Sequence, residues 1–460
     1  MQHYDAIVIG SGQAGTPLSK KLAKSGLKTA LIEKRWIGGT CVNDGCSPTK
    51  AMIASAKAAW SVYHNKNLGV ITDHFYLDFS AVKKRKDDIV HKMRGSSEKG
   101  IEETENLDLF YGTAKFTGPK EITVTLNDGG SEVFSADKFF LNTGEKPSIP
   151  KIEGIEQIDY LTSTTIMDLE TIPEHLVVLG SGYIGLEFGQ MFRRFGSKVT
   201  ILEKSERILK KEDQDIAKAV TDVLELEDIE IFTNSKLVSV SKKDGQISAI
   251  IETEGKTTEL KCSHLLLASG RRPQTAELSL DIAGVETDEK GYIKVNDRLE
   301  TTAADIYALG DVKGGPAFTH ISYDDYRIVT TNVVDNGNAS IKDRLVPYCM
   351  FIDPQLGRVG MTEQEAREKG LEIEVAILKN DSVARSIETG DERGMMKAVV
   401  DAKTKQILGA AVLSEQGGEI VTILQMAMMG NITYDRIMNG VIAHPTYAES
   451  LNNLFMTLQK

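Results

Sequence analysis

Apolar residues along this chain fall into short runs that end on glycine, each followed by a stretch whose apolar positions recur three and four apart. Residues 4–34, YDAIVIGSGQAGTPLSKKLAKSGLKTALIEK, read as a strand, a Gly-rich turn, an amphipathic helix and a second strand ending on an acid. Residues 175–204, HLVVLGSGYIGLEFGQMFRRFGSKVTILEK, read the same way. Gly10, Gly12, Gly15 and Glu33 return as Gly180, Gly182, Gly185 and Glu203 at a constant offset. Further short strands ending near glycine are predicted at FFLNTG (139–144), HLLLASG (264–270) and DIYALGD (305–311). From about residue 341 the pattern changes. VPYCMFI, KAVVDA and ILGAAVLSE read as sheet strands, and GEIVTILQMAMMG and YAESLNNLFMTLQ as amphipathic helices, so a separate α+β domain is expected there.

A single G-x-G-x-x-G is weak evidence. Here each copy follows a strand, opens a helix and has an acid about twenty residues further on. The first glycine allows the tight turn, the second lets a pyrophosphate approach the helix N-terminus, and the third lets helix and strand pack closely. Glu33 and Glu203 would then accept hydrogen bonds from an adenosine ribose. Two dinucleotides are therefore expected, and Asp311 is placed to hold the ribityl hydroxyls of a flavin dinucleotide.

Composition narrows the partners. The 460 residues carry a net charge of -12, so the basic footprint needed for nucleic acid or an anionic membrane is missing. No apolar run approaches the roughly 20 residues that span a bilayer. The run KKRKDD at 83–88 reads as a solvated helix face. MQHYDAIVIG enters a strand at once, so no secretory leader and a cytoplasmic location are expected. Of only 4 cysteines, Cys262 and Cys349 sit in separate apolar segments and read as inert. The other two share the segment GGTCVNDGCSPTK (38–50). A long helix is predicted after Cys46, and a helix N-terminus favours thiolate over thiol.

Taken together, the two fingerprints, the CxxxxC between them and the signatures IYALGDVKGGPAFTHISYDDYRI, VPYCMFIDPQLGRVGMTEQEA and AHPTYAESLNNLF resemble the flavin-dependent pyridine nucleotide–disulfide oxidoreductases over essentially the whole chain. The resemblance implies an α/β fold: two Rossmann-like domains, for FAD and NAD(P), plus a C-terminal α+β dimerisation domain. It implies an FAD-binding part at 1–150, an NAD(P)-binding domain at 151–270, a second FAD or central part at 271–340, and a homodimer-forming domain at 341–460. Gly10, Gly12, Gly15, Glu33, Gly39, Thr40, Lys50, Ala114, Thr143, Gly144, Asp311 and Thr319 would contact FAD; Gly180, Gly182, Gly185, Glu203 and Gly270 would contact the nicotinamide cofactor. Electrons would pass from NAD(P)H through flavin and a Cys41–Cys46 disulfide to a thiophilic acceptor. Cys46 would be the flavin-side thiolate and Cys41 the outer thiol. Lys50 and Glu187 match the family's lysine–glutamate pair, and Tyr183 the aromatic that covers the flavin. By the same match, His444, oriented by Glu449, reaches Cys41 of the other subunit as acid–base; Thr446-x-x-Glu449 also fits a helix capping box.

Glu203 would repel a 2′-phosphate, which favours NADH, while Lys204 and Lys210 stand where NADPH-using relatives place arginines. Within the family, the segments at 12–34, 319–328 and 346–360 look most like the branch of mercuric reductase and the copper reductase of reactive-chlorine resistance. The expected acceptor is thus a metal ion such as Hg(II) or Cu(II), touching Cys41 and Cys46 only in passing, with no resident metal. The tail NLFMTLQK lacks a cysteine pair, and His444 replaces the tyrosine typical of mercuric reductase. A dithiol substrate, as in dihydrolipoamide dehydrogenase, is the second reading, and a non-catalytic flavin redox sensor the third. Asp44 and Ser47 are more polar than the family's usual residues. Asp44 either raises the thiol pKa values or faces solvent.

Overall fold

In the first strand, Gln2–Ile9, successive side chains separate onto opposite faces: Ala6 and Val8 enter one apolar cluster, Ile7 and Ile9 another. A strand buried on both faces needs this continuous apolar run, and it sits at the middle of a parallel sheet. Thr29–Glu33 pairs parallel on one side of it, and Ser131–Leu141 on the other. Leu107–Gly118 and Ile306–Ala308 extend the sheet, also in parallel. The helix Gly15–Lys24 buries Leu18 and Leu22 against Ala6, Val8 and Leu31. The long strands Leu107–Gly118 and Ser131–Leu141 continue past the parallel sheet and pair antiparallel with Glu121–Leu126 as a three-stranded meander.

The computed structural model describes residues 1–459. They fall into two compact units. The first comprises Met1–Ala51, Lys83–Ser148 and Gly270–Arg344; the second comprises Met52–Val82, Ile149–Ser269 and Leu345–Lys460. The second unit repeats the plan of the first: a parallel sheet in the order Glu230–Phe232, Lys198–Leu202, His175–Leu179, His264–Leu267, Leu161–Thr162, followed by an antiparallel meander of Ser235–Lys243, Gln246–Thr253 and Lys256–Cys262. The duplication read in the fingerprints thus extends to the meander beyond each.

The second unit also holds the α+β portion. Its antiparallel sheet runs Tyr348–Met350, Gln355–Gly360, Ile407–Ser414, Met395–Asp401, Ile373–Lys379. Helix Gly417–Met429 lies on it so closely that a Cβ on Gly357 would meet the Gly417 carbonyl oxygen at 2.3 Å. Its outer side leaves Ile423, Met426 and Met429 exposed, three residues apart on one stripe.

Two expectations shift in detail. The last helix covers only Ser450–Met456, because residues 446–449 are held in turns by Thr446. The run 83–88 lies on a helix, but Lys86 is buried and pairs with Asp87 at 2.5 Å, so the face is not wholly solvated. Cys262 is buried in the apolar core, and burial pushes its thiol up to about 12, which leaves it inert; Cys349 is half-buried.

Candidate active site

The first fingerprint turn is built by contact. Gly10 has φ +100, and a Cβ there would meet the Asn142 carbonyl oxygen at 2.3 Å. On Gly15 a Cβ would strike the Gly10 oxygen at 1.9 Å, and on Gly12 it would meet Asn142 Oδ1 at 2.7 Å. Asn142, which sequence reading passed over, ties three chain segments together: Gly15 N donates to its Oδ1 at 2.9 Å, and its Nδ2 donates to the Leu309 carbonyl at 2.8 Å. The available signal was a lone amide ending the apolar run FFLN. Glu33 Oε2 accepts from Ser11 N at 2.9 Å and Ser11 Oγ at 2.6 Å, and its Oε1 from Arg35 N at 2.7 Å. This carboxylate is therefore shared between the turn and any ribose it meets.

Several groups here suit a phosphorylated, polyhydroxylated ligand. Thr143 Oγ1 is buried with no hydrogen-bond partner among the described residues. Beyond it, Gly144 has φ +66 and open space where a Cβ would stand. Burial, helped by the charge of Glu145 and opposed by Arg271 and Lys313, lifts the Asp311 carboxyl to about 6. A buried carboxylate that costs this much to ionise is ready to accept hydroxyl donors. Ala114 lies in the apolar core, paired with Val124, and has no polar side chain to offer. These residues fit an FAD.

The cysteine segment is bonded directly to this turn. Gly38 N donates to the Ser11 carbonyl at 3.2 Å, Gln13 Nε2 donates to the Gly38 carbonyl at 3.2 Å, and a Cβ on Gly39 would meet Gly12 Cα at 2.8 Å. Thr40 and Cys41 ride on the short helix Gly39–Asn43, and Cys46 is the first residue of the helix Cys46–His64. Gly45 makes the turn between them, with no room for a Cβ beside the Thr40 oxygen at 2.7 Å. A hydrogen bond donated to Cys46, then burial and the charge of Cys46, push the Cys41 thiol far up, while Thr319 and Lys50 draw it down. The Cys41 thiol is thus held in its protonated form, while Cys46 stands at a helix N-terminus, which favours a thiolate. Thr319 Oγ1 lies 3.4 Å from Cys46 Sγ, and Lys50 is half-buried one turn along the helix. Asp44 does not face solvent: it is buried and ion-paired with Arg35.

In the second unit the turn is looser. Gly180 has φ +110, with the Ala268 oxygen 2.7 Å from its would-be Cβ, and Gly185 repeats the helix-to-strand approach at 2.1 Å from the Gly180 oxygen. Gly182 has open space instead. Glu203 accepts from Ser181 N at 3.2 Å, Ser181 Oγ at 2.5 Å and Ser205 N at 2.8 Å. Burial alone would raise its carboxyl, but these donors outweigh that and hold it below the usual range. Gly270, at φ +139, ends the strand region His264–Leu267 with open space beside it. Lys204 and Lys210 are exposed. Tyr183 opens the helix Tyr183–Phe195 and is 38% exposed. Glu187, one turn on, is buried, and its Oε1 accepts from Phe351 N at 2.8 Å, a structural duty the sequence did not signal.

His444 is exposed, with Nδ1 2.8 Å from Glu449 Oε2 and 3.1 Å from Oε1. Glu449 N donates to Thr446 Oγ1 at 3.2 Å, so half of the capping box exists; the Glu449 carboxylate turns to the histidine instead of closing it. Fixing Nδ1 as the donor leaves Nε2 free to exchange protons. Asp353, Asp391 and Glu415 also bring ligand atoms within 4.8 Å of one another. Lys57 lies 3.0 Å from Asp353, Arg194 2.9 Å from Asp353 and Arg393 2.7 Å from Asp391, so cationic side chains already neutralise that cluster.

Two dinucleotide folds, a cysteine pair seated against the first and an α+β portion after the second match known family models. The model described as pyridine nucleotide-disulphide oxidoreductase matches residues 4–325, and that of the corresponding dimerisation domain matches 346–455. The chain belongs to the pyridine nucleotide-disulphide oxidoreductases. As a member of this family it is an oxidoreductase that uses FAD and a pyridine nucleotide. It is 38% identical to the probable pyridine nucleotide-disulfide oxidoreductase RclA of Escherichia coli (strain K12), over 99% of both chains. It is 34% identical to the mercuric reductase of Bacillus cereus, over 99% of this chain and 72% of that one. Among solved structures it resembles the Cu(II) complex of the HOCl-induced flavoprotein disulfide reductase RclA from Escherichia coli, with a TM-score of 0.92, 38% identity and 100% of both chains covered. Within the family it is thus a flavoprotein disulfide reductase of the RclA and mercuric reductase type. No helix among the described residues is long and apolar enough to cross a membrane.

Proposed function

We propose that this oxidoreductase takes electrons from NADH and delivers them, through the Cys41–Cys46 pair, to a thiophilic metal ion such as Cu(II) or Hg(II). The observation that carries the reading is the placement of the pair: Cys41 and Cys46 flank the Gly45 turn on a segment bonded to the first fingerprint turn, with Cys46 opening a helix and Thr319 Oγ1 3.4 Å from its sulfur. When bound, FAD carries the electron pair from the nicotinamide to the disulfide. Cys46 faces it, with Lys50 and Thr319 stabilising the thiolate. Cys41 is the outer thiol that meets the acceptor. Two electrons and one proton, the equivalent of the hydride, convert the disulfide to one thiol and one thiolate. Reduction of one Hg(II) to Hg(0), or of two Cu(II) to two Cu(I), restores the disulfide and releases that proton. The net products on the donor side are NAD⁺ and one proton.

Glu203, held ionised by Ser181 and Ser205, favours a free 2′-hydroxyl over a 2′-phosphate, hence NADH over NADPH. Gly180, Gly182, Gly185 and Gly270 line that cofactor's approach, and Tyr183 and Glu187 stand beside its reacting end. The FAD residues are Gly10, Gly12, Gly15, Glu33, Gly39, Thr40, Lys50, Ala114, Thr143, Gly144, Asp311 and Thr319, with Asn142 holding the turn that they form. The exposed stripe of Ile423, Met426 and Met429 and the fully exposed Val441, within the matched dimerisation domain, support a homodimer. In that dimer His444, oriented by Glu449, serves Cys41 of the second subunit as acid–base. A cytoplasmic setting, which keeps such a pair poised for reduction, suits this role.

The His444–Glu449 pair favours one rival, a dithiol or disulfide substrate of the dihydrolipoamide dehydrogenase kind. Steady-state NADH oxidation with Hg(II), with Cu(II) and with lipoamide, measured in parallel, separates the two. Metal-dependent turnover that Cys41→Ala abolishes, with lipoamide inert, is expected. Fast lipoamide turnover with metals only inhibiting would overturn the metal assignment.

A further inference from the structure

Both residues in the middle of the cysteine loop are held by arginines. Asn43 Oδ1 accepts from Arg94 Nε at 2.7 Å, and the Asp44 carboxylate is ion-paired with Arg35. The two guanidiniums lie over the same ring, Trp36, at 4.7 Å and 4.5 Å from its centroid. Asn43 Nδ2 completes the clamp by donating to the Gly39 carbonyl at 2.9 Å and the Ile37 carbonyl at 3.0 Å. Asp44 therefore sits, buried, two residues from Cys46 and three from Cys41, with a cation of its own.

We propose that Arg35 is a positioning residue that sets the reduction potential of the Cys41–Cys46 pair by cancelling the buried charge of Asp44. This deepens the functional reading above and rests on the pair being redox-active. Two electrons and one proton turn the disulfide into one thiol and one thiolate, so the reduced pair carries a negative charge that the oxidised pair lacks. A bare carboxylate inside the loop would oppose that charge, and burial weakens the screening that would otherwise hide it. Among the other charges facing the pair are Lys50, on the helix that Cys46 opens, Asp311, from the segment Gly310–Lys313, whose carboxyl feels the Cys46 charge, and, in the proposed dimer, His444 of the second subunit. Lys50 and Asp311 oppose one another, and within the loop itself Arg35 opposes Asp44. Arg35 is half-exposed, so its removal opens no core, whereas Asp44 is enclosed and depends on it.

The test is an equilibrium titration of the FAD-loaded protein against mixtures of oxidised and reduced dithiothreitol at fixed pH, reading the long-wavelength thiolate-to-flavin absorbance. Arg35→Gln should make reduction about tenfold less favourable, a midpoint roughly 30 mV lower. Asp44→Asn should move it the other way, the double variant should return near the parent value, and Arg35→Lys should stay close to it. A purely structural role would destabilise both single variants without moving their potentials in opposite directions. If Arg35→Gln does not fold, Asp44→Asn and the double variant still decide: Asp44→Asn with an unmoved or lowered potential overturns the proposal. Absence of the absorbance at every potential in the parent protein would overturn the redox reading itself instead.

Discussion

The two fingerprint turns share glycine spacing, backbone twist and acid, yet they differ at one strand end. In the first, Asn142 fills the space beside Gly12 and bonds to Gly15 and to Leu309. In the second, the matching position holds Ala268, and the space beside Gly182 is open. The acids differ less: Glu33 and Glu203 each take a serine hydroxyl and two backbone N–H groups. A turn bolted by a buried amide is suited to a cofactor that stays, and an open turn to one that comes and goes. One side chain, not the shared motif, separates the two.

The largest effect should come from breaking the motif where both turns agree. Gly15→Ala or Gly185→Ala puts a methyl against a backbone oxygen in either unit and should cost more than about 3 kcal/mol of stability, seen as loss of soluble folded protein or a large fall in Tm. The middle glycines should then part company. Gly12→Ala should lose FAD on gel filtration, whereas Gly182→Ala should keep FAD and the parent Tm and raise only the KM for the nicotinamide cofactor. Equal damage from both would break the comparison.

Next in size is Asn142→Ala, which leaves the Gly15 N–H and the Leu309 carbonyl without a partner, at about 1–3 kcal/mol for each group. FAD retention should fall, as followed by flavin fluorescence on dilution. The converse change, Ala268→Asn, should fill the gap beside Gly182 and raise the KM for the nicotinamide cofactor without touching the flavin.

Asp311 supplies a pH-dependent version. Its folded carboxyl is raised to about 6, so between the ordinary carboxylate range and that value the folded state holds a proton the unfolded state has lost. Its contribution to stability is therefore fully present at low pH and lost as pH rises through about 6. In the flavin-free protein, Asp311→Asn should be the more stable at pH 7, by about 3 kcal/mol, with little gain at pH 4. The same variant should bind FAD more weakly. The smallest effect is at Glu203: Glu203→Gln should narrow the preference for NADH over NADPH by on the order of tenfold in kcat/KM, about 1.4 kcal/mol. An unchanged ratio would remove Glu203 as the discriminator.

The duplicated unit, the parallel sheets, the late α+β portion and the cysteine pair ahead of a helix were all legible in the chain. Each follows from local rules: apolar runs of strand length, glycine where a turn or close approach demands it, and a thiol placed at a helix start. The partners of polar groups were not legible, because they come from segments far apart in sequence. Asn142 is bound to Gly15 and Leu309, Glu187 is drawn to the Phe351 amide, and Glu449 turns toward His444 instead of closing a cap. Asp44 reads in the chain either as a charge that disturbs two thiols or as one that faces solvent, and only folding buries it and supplies Arg35, which neutralises it. Burial makes every such group find a partner, and which partner it finds depends on how distant strands and loops are brought side by side.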